Sequence, residues 1–436
     1  MYQQRMNGQN IINSFNNQFV TAIIGPRRVG KSYFIQNYAL QHPHLKWVFL
    51  NMDKMPDRVQ VENNQLERLI QEHAKQLIGL EVKIWVVIDE AQKSPAIFDQ
   101  VKTIYDNFKG KDKIKFILSG SAVLSLHKLS AESLAGRIEL FHLQEFNLRE
   151  ATLLQEQIPL TSLFDKLVDT DPSTSITEYI NQLKPFKPIL ENQLAELLIW
   201  GGFPELLQLP TSNEKISYLN NYLQTYLEKD VRAIETITDI NLYRNMLDIF
   251  AEQTGSIRDE LRITSALGCT RDTLKKYRGY VEATLLYKDV YPYINSSLKR
   301  LVKSPKGYLL NNGLISLLTG IADIKILEKT GTIGHRLENW FLNELYIWCE
   351  RSSFRQHINY WRTSTGIEVD FVVVKKPYVF PFEVTYGLVP DSKKIRSLQK
   401  FLQNEPKAQW GYYIYRGEFV IDNDKKIMFM PCWAMN

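Results

Sequence analysis

The first third of the chain alternates short, wholly apolar runs with segments whose apolar side chains recur every three or four positions. Phe19–Ile24 (FVTAII) is an apolar run that stops at Gly25, and Lys31–Leu40 follows with helical spacing. Trp47–Asn51 (WVFLN) predicts a second strand, and Asn64–Ile78 predicts a helix with leucines and isoleucines on one face. Ile84–Ile88 (IWVVI) and Lys115–Leu118 (KFIL) are two further apolar strands. Unbroken apolar strands between helices predict an α/β fold built on a parallel sheet covered on both faces.

Beyond this region the pattern changes. Ala151–Asn192 mixes a polar, proline-interrupted stretch (DTDPSTSITEY) with short helical pieces and reads as a linker or lid. From Gln193 to Asp289 the spacing is helical, and Lys303–Leu318 is a turn-rich junction. A helix over Arg336–Glu350 then precedes strand-like runs at Ile358–Arg362, Glu368–Val374, Tyr378–Val384 and Gln409–Tyr415, with a helix over Ser392–Leu402 among them. The chain therefore divides into residues 1–155, 156–240, 241–320 and 321–436, the last a separate α/β unit.

Composition changes this picture little. Of 436 residues, 44% are hydrophobic and 23% charged, a globular balance, and the net charge of +5 permits a nucleic-acid partner without requiring one. Cys269, Cys349 and Cys432 are far apart and form neither a CxxC pair nor a disulfide framework, so a reducing cytoplasm is expected. The polar N-terminus lacks the apolar core of a signal peptide, and no apolar run approaches the ~20 residues of a membrane span. The expectation is a cytoplasmic protein without membrane contact.

The candidate chemistry begins at Gly25-Pro26-Arg27-Arg28-Val29-Gly30-Lys31-Ser32, which fits GxxxxGK[ST] between a predicted strand and a predicted helix. Gly25 and Gly30 let the backbone turn tightly enough for successive N–H groups to face phosphate oxygens, and the following helix presents its positive end to the same anion. Lys31 reaches the β- and γ-phosphates, and the Ser32 hydroxyl is a Mg²⁺ ligand, which predicts ATP and Mg²⁺ as cofactors. The strand IWVVI ends in Asp89-Glu90. Asp89 would hold Mg²⁺, and Glu90 would polarise the attacking water as general base. KFIL ends in Ser119-Gly120-Ser121, where Ser119 first and Ser121 second are candidates to sense the γ-phosphate, or simply make the turn. Arg137, after SLAG, could contact a γ-phosphate in cis, or in trans within a homo-oligomer, or be salt-bridged.

Taken together, GPRRVGKS, VVIDEAQ, ILSGSA and SLAGRIELFHLQEFNLRE resemble the AAA+ superfamily of P-loop ATPases. With IWGGFPELL, YLQTYLEKDV, KSPKGYLLNNGL, GHRLENWFLNEL, GIEVDFVV and FEVTYG they resemble, more narrowly, a prokaryotic family of AAA-type ATPases with a C-terminal domain of unknown function. Ile263–Leu286 (ITSALGCTRDTLKKYRGYVEATLL) fits a helix-turn-helix, and the resemblance implies a winged-helix fold there. Its second helix would bring Arg271, Lys275, Lys276 and Arg278 to DNA, although such units also serve as rigid connectors. In the last region, Asp370 and Glu383 fall on successive strands, and Glu338 on the helix before them is a third acid. Acids on adjacent strands can share a divalent metal. The arrangement resembles the restriction-endonuclease-like PD-(D/E)XK fold. That pattern wants a lysine two residues after the glutamate, and this chain has Thr385, leaving Lys393 or Lys394 on the next helix as substitutes. Two functions fit: an ATPase coupled to DNA binding or processing, or a nucleotide-dependent switch acting on a protein partner.

Overall fold

The computed structural model describes residues 4–75, 78, 82–109, 112–120, 133–231, 237–294, 303–352 and 356–435, so Ser121 lies outside the described residues. The chain forms two compact units: Met1–Glu145 with Ala283–Leu285, and Phe146–Glu282 with Leu286–Asn436.

The first unit contains helices α1 (Gly8–Phe15), α2 (Lys31–Gln41), α3 (Met55–Glu62), α4 (Leu66–Ala74) and α5 (Ala96–Phe108), and strands β1 (Val20–Ile24), β2 (Lys46–Asn51), β3 (Ile84–Asp89), β4 (Ile114–Gly120) and β5 (Ile138–His142). The strands pair in parallel in the order β2-β3-β4-β1-β5. All five residues of β1 are buried, as are the first five of β3, because helices cover both sheet faces. Each fully buried Ile or Val contributes roughly 1.5–3 kcal/mol, so these runs leave no place for a polar alternation. In this order β4 lies between β1 and β3, and the loops that follow all three strands leave the same edge of the sheet. Lys115, buried on β4, donates to the carbonyls of Ser14 (2.6 Å) and Asn17 (3.3 Å) and so satisfies the end of α1.

The second unit opens with helices α6 (Leu148–Thr152), α7 (Leu163–Lys166), α8 (Pro172–Leu183), α9 (Lys187–Trp200), α10 (Ser212–Thr225) and α11 (Ile240–Glu252). The expected linker or lid at Ala151–Asn192 is corrected here. Pro172 starts α8, where a missing N–H costs nothing, and the Asp171 side chain caps it by accepting from the Thr174 N–H at 3.3 Å. Phe164, Ile176, Ile180 and Leu194 share one core with Trp340, Trp348 and Trp433, and the Phe164 ring stacks on Trp348 at 5.1 Å.

Then follow β6 (Ser256–Ile257), α12 (Glu260–Leu267), α13 (Arg271–Ala283), β7 (Tyr287–Pro292), β8 (Lys306–Leu309), α14 (Asn312–Thr319), α15 (Ile324–Lys329) and α16 (Ile333–Glu350). The chain ends with β9 (His357–Arg362), β10 (Glu368–Lys375), β11 (Tyr378–Val384), α17 (Ser392–Asn404), β12 (Gly411–Tyr415), β13 (Val420–Asp422) and β14 (Ile427–Pro431). These strands form one mixed sheet in the order β13-β14-β12-β11-β10-β9-β7-β8-β6. The join is the parallel pairing of β7 with β9, where Tyr291 meets Asn359. The sheet therefore runs across the boundary that the sequence pattern suggests at 320. No helix among the described residues is long and apolar enough to cross a membrane.

Candidate functional site

In the first unit the P-loop joins β1 to α2. Gly30 takes φ +93° and Arg28 φ +62°, left-handed values that curl the loop. A Cβ on Gly25 would lie 2.1 Å from the Leu143 carbonyl oxygen, so only glycine fits between β1 and the chain leaving β5. The Lys31 ammonium is buried and donates to the carbonyls of Gly25 (2.9 Å) and Pro26 (2.8 Å). The Ser32 hydroxyl donates to Asp89 Oδ2 at 2.7 Å, and the Ser119 hydroxyl donates to Asp89 Oδ1. The three loops predicted to carry the chemistry thus meet at one carboxylate. Two oxygens, Ser32 Oγ and Asp89 Oδ2, stand together in the way that a hard cation sharing its shell with phosphates and waters requires. They open onto a cavity of about 280 Å³ lined also by Gln36, Phe49, Asn51 and Lys54.

Glu90 follows Asp89 in the left-handed region, φ +53°, a conformation that costs a non-glycine residue energy. Its carboxylate accepts a hydrogen bond from Gln92 Nε2 at 2.5 Å, the glutamine that ends the VVIDEAQ block. Arg137 is placed elsewhere. It precedes β5, and its carbonyl accepts from the Val20 N–H at the start of β1. The P-loop leaves the other end of β1, roughly 16 Å away at ~3.3 Å per residue. The Arg137 guanidinium grips both oxygens of Asp106, at 2.8 and 3.0 Å. The cis contact with a γ-phosphate is corrected by this placement.

In the second unit, α12, a turn at Gly268 (φ +62°) and α13 follow one another as expected for a helix-turn-helix, with β6, β7 and β8 forming an antiparallel sheet beside them. Arg271, Lys275 and Lys276 are exposed on α13. Arg278 is not. Its side chain is buried and pairs with Glu260 Oε1 (2.9 Å), Glu282 Oε1 (3.5 Å) and Asp289 Oδ2 (3.6 Å), while Arg258 also pairs with Asp289 and with Glu260 (3.1 Å). Burial, with the Asp289 charge beside it, pushes the Glu282 carboxyl up to about 7. The DNA-facing role of Arg278 is corrected for the same reason: a guanidinium enclosed by carboxylates is unavailable to phosphate.

The acids of the last region do converge. Glu338 on α16, Asp370 on β10 and Glu383 on β11 are all buried. Yet the described residues contain no group of three or more metal-type ligands positioned to hold an ion. Two lysines stand between the acids instead. Lys394 Nζ, on α17, donates to Asp370 Oδ2 (2.8 Å) and to the Val384 carbonyl (2.7 Å), and lies 3.1 Å from Glu383 Oε2. Of the two helix lysines considered beside Thr385, Lys394 is the one shown pairing with these acids. Lys306 Nζ, on β8, lies 2.6 Å from Glu368 Oε1, 3.2 Å from Glu338 Oε1 and 3.7 Å from Asp370 Oδ1. Tyr308 donates to Glu338 Oε1 at 2.5 Å. Burial raises the Glu383 carboxyl well above its usual range, and the Asp370 charge adds to this. Burial acts on Asp370 in the same sense, but the ammonium groups of Lys394 and Lys306 outweigh it and hold that carboxyl low. Lys306, Tyr308 and Glu368 lie in the blocks KSPKGYLLNNGL and GIEVDFVV, but nothing in the local pattern marks them as site residues.

Residues 17–152 match the family model of an AAA domain. The first unit is therefore an AAA-type P-loop fold, a nucleotide-binding one. Residues 191–325 and 333–435 match two domains of unknown function, DUF8612 and DUF4143. An uncharacterized protein of Mycobacterium tuberculosis is 24% identical over 347 residues, spanning 79% of this chain and 68% of its own. Another from Haemophilus influenzae is 20% identical over 409 residues, 92% and 90% of the two chains. Among solved structures, the Aeropyrum pernix ORC2 protein in its ADPNP-ADP complexes aligns with 73% of this chain and 92% of that chain at 12% identity, with a TM-score of 0.37.

Proposed function

We propose that this protein binds ATP with Mg²⁺ at its P-loop and hydrolyses it, and that nucleotide state is coupled to DNA held by the second unit. The observation that supports the first part is the meeting of Ser32, Asp89 and Ser119 at the mouth of the loop. In this reading the loop N–H groups and Lys31 bind the phosphates. Lys31 exchanges the neutral carbonyls of Gly25 and Pro26 for charged oxygens, which are the stronger acceptors. Ser32 and Asp89 hold the Mg²⁺, which neutralises phosphate charge when bound. Glu90 takes the proton of the attacking water, with Gln92 orienting its carboxylate, and Ser119 keeps Asp89 turned toward the cation.

The order helix, strand, helix, turn, helix, two strands over Ile240–Leu309 supports a winged helix, with Arg271, Lys275 and Lys276 as phosphate contacts. The order of Glu338, Asp370, Glu383 and Lys394 on one helix, two strands and a second helix supports a nuclease-like ancestry for the C-terminal region. A second reading, a switch that acts on a protein partner without nucleic-acid chemistry, is favoured by the lysines that fill the carboxylate cluster. An ATPase assay with and without single- and double-stranded DNA, run beside a Mg²⁺/Mn²⁺ cleavage assay, tests both. Turnover that changes with DNA supports the coupled ATPase. Turnover indifferent to DNA, with no DNA affinity at low salt, supports the protein-directed switch.

A further inference from the structure

The acids of the C-terminal region fit a divalent metal by type and by placement on the fold, and they do not fit it by geometry. Mg²⁺ draws oxygens to 2.0–2.1 Å, so ligands sharing one ion stand roughly 3–4 Å apart. Here Glu338, Glu368 and Asp370 are gathered around a point that a nitrogen already holds, at 3.2, 2.6 and 3.7 Å. These are the radii of an ammonium shell, wider than those of a metal. The Lys306 side chain is 4% exposed. It comes from β8, a segment separate from α16, which carries Glu338, and from β10, which carries Glu368 and Asp370. The Tyr360 ring lies 5.8 Å from Nζ and closes another side. A Cβ on Gly255 would lie 3.1 Å from His335 Nδ1, 3.6 Å from the Tyr308 ring and 3.7 Å from Glu338 Oε1, so the backbone there comes close to the cluster.

We infer that Lys306 is a built-in cation that occupies the centre of the carboxylate cluster and keeps divalent metal out of it. The same pairs fasten strand β8 to α16 and β10. A buried ammonium with three carboxylates is held only because each charge satisfies the others, so removing it leaves Glu338 without a counter-charge, while Glu368 keeps Arg362 at 3.5 Å and Asp370 keeps Lys394 at 2.8 Å. Lys394 remains in either case and still serves Asp370 and Glu383.

The test is Mn²⁺ binding by the full-length, nucleotide-free protein, followed by the loss of the free-ion paramagnetic resonance signal. An Asp89→Asn background silences the P-loop. The expected result is no saturable site in the parent and one new site in Lys306→Met, which keeps most of the stem's packing. Any residual binding by the parent should be weaker by roughly tenfold or more, the scale of changes beside a metal. The new site should vanish when Asp370→Asn is added. Mn²⁺ should also raise the melting temperature of Lys306→Met and leave that of the parent unchanged. Lys306→Arg should stay closed. The inference is overturned if Lys306→Met binds Mn²⁺ no better than the parent. It is also overturned, whatever the folding of the variants, if the parent already binds one Mn²⁺ that Asp370→Asn removes. Neither outcome bears on the P-loop, whose reading stands or falls by ATP turnover.

Discussion

Replacing Arg278 by methionine separates a structural arginine from a DNA-reading one. Its side chain is 10% exposed and meets Glu260 at 2.9 Å, Glu282 at 3.5 Å and Asp289 at 3.6 Å. Methionine retains the apolar stem and removes the charge. Breaking a buried ion network by deleting one partner costs about 3–5 kcal/mol. Arg258 still serves Asp289 and Glu260 here, so the lower figure, about 3 kcal/mol, is the better expectation. With urea slopes of roughly 1–3 kcal/mol/M, this moves the midpoint of the second unit down by about 1 M or more. The loss should be larger at pH 8 than at pH 6. Glu282 titrates near 7 in the native protein, and below that pH its neutral form no longer needs a counter-charge. The assay is urea unfolding of parent and variant at both pH values, beside duplex-DNA binding at several salt concentrations. The contrasting variant is Arg271→Ala with Lys275→Ala, both exposed. It should leave the midpoint unchanged and lower the salt slope of DNA binding by about two. An Arg278→Met protein with an unmoved midpoint and a reduced salt slope would refute the argument.

Three further outcomes follow from the first unit. Glu90→Gln should retain ATP affinity and lose turnover by at least ~100-fold, the usual contribution of a general base; a binding assay beside phosphate release checks it. Gly25→Ala places a methyl 2.1 Å from the Leu143 carbonyl oxygen, so ATP binding should be lost with the loop's shape, as read by calorimetry. Burial pulls the Lys115 ammonium down to about 7. The unfolded chain therefore binds a proton that the folded one lacks between roughly pH 7 and pH 10.4, and stability from this group rises with pH across that window. Comparing urea midpoints at pH 7 and pH 9.5, Lys115→Met should lose that part of the rise; an identical pH dependence in parent and variant would contradict it.

Much of the AAA-type unit was legible in the sequence because its signals are local. An apolar strand, a glycine-bounded turn and a helix are consecutive in Val20–Gln41, and Asp89-Glu90 closes a strand of five buried residues. Parallel strands buried on both faces write themselves as continuous apolar runs, and phosphate loops require glycine at set intervals, so periodicity and spacing suffice. The C-terminal acids were legible by the same means, since Asp370 and Glu383 lie on strands with clear patterns.

What only the tertiary structure decided is where the charged side chains point and what they meet. Helical spacing put Arg278 on the same helix as Arg271 and Lys275, but its side chain is buried and meets Glu260, Glu282 and Asp289. Arg137 was a candidate γ-phosphate contact after SLAG, yet the direction of β5 places it at the far end of the sheet from the P-loop. Pro172 looked like a break in a linker and is the first turn of a helix in the core. Lys306 is the plainest case: it is 32 residues from Glu338 in sequence and 3.2 Å from it in space. Its role depends on β7 pairing with β9, which brings two segments into one sheet. Local patterning follows from short-range sterics and burial, and so can be read along the chain. The sign and strength of a buried ion cluster depend on groups that only long-range strand pairing brings within a few ångströms.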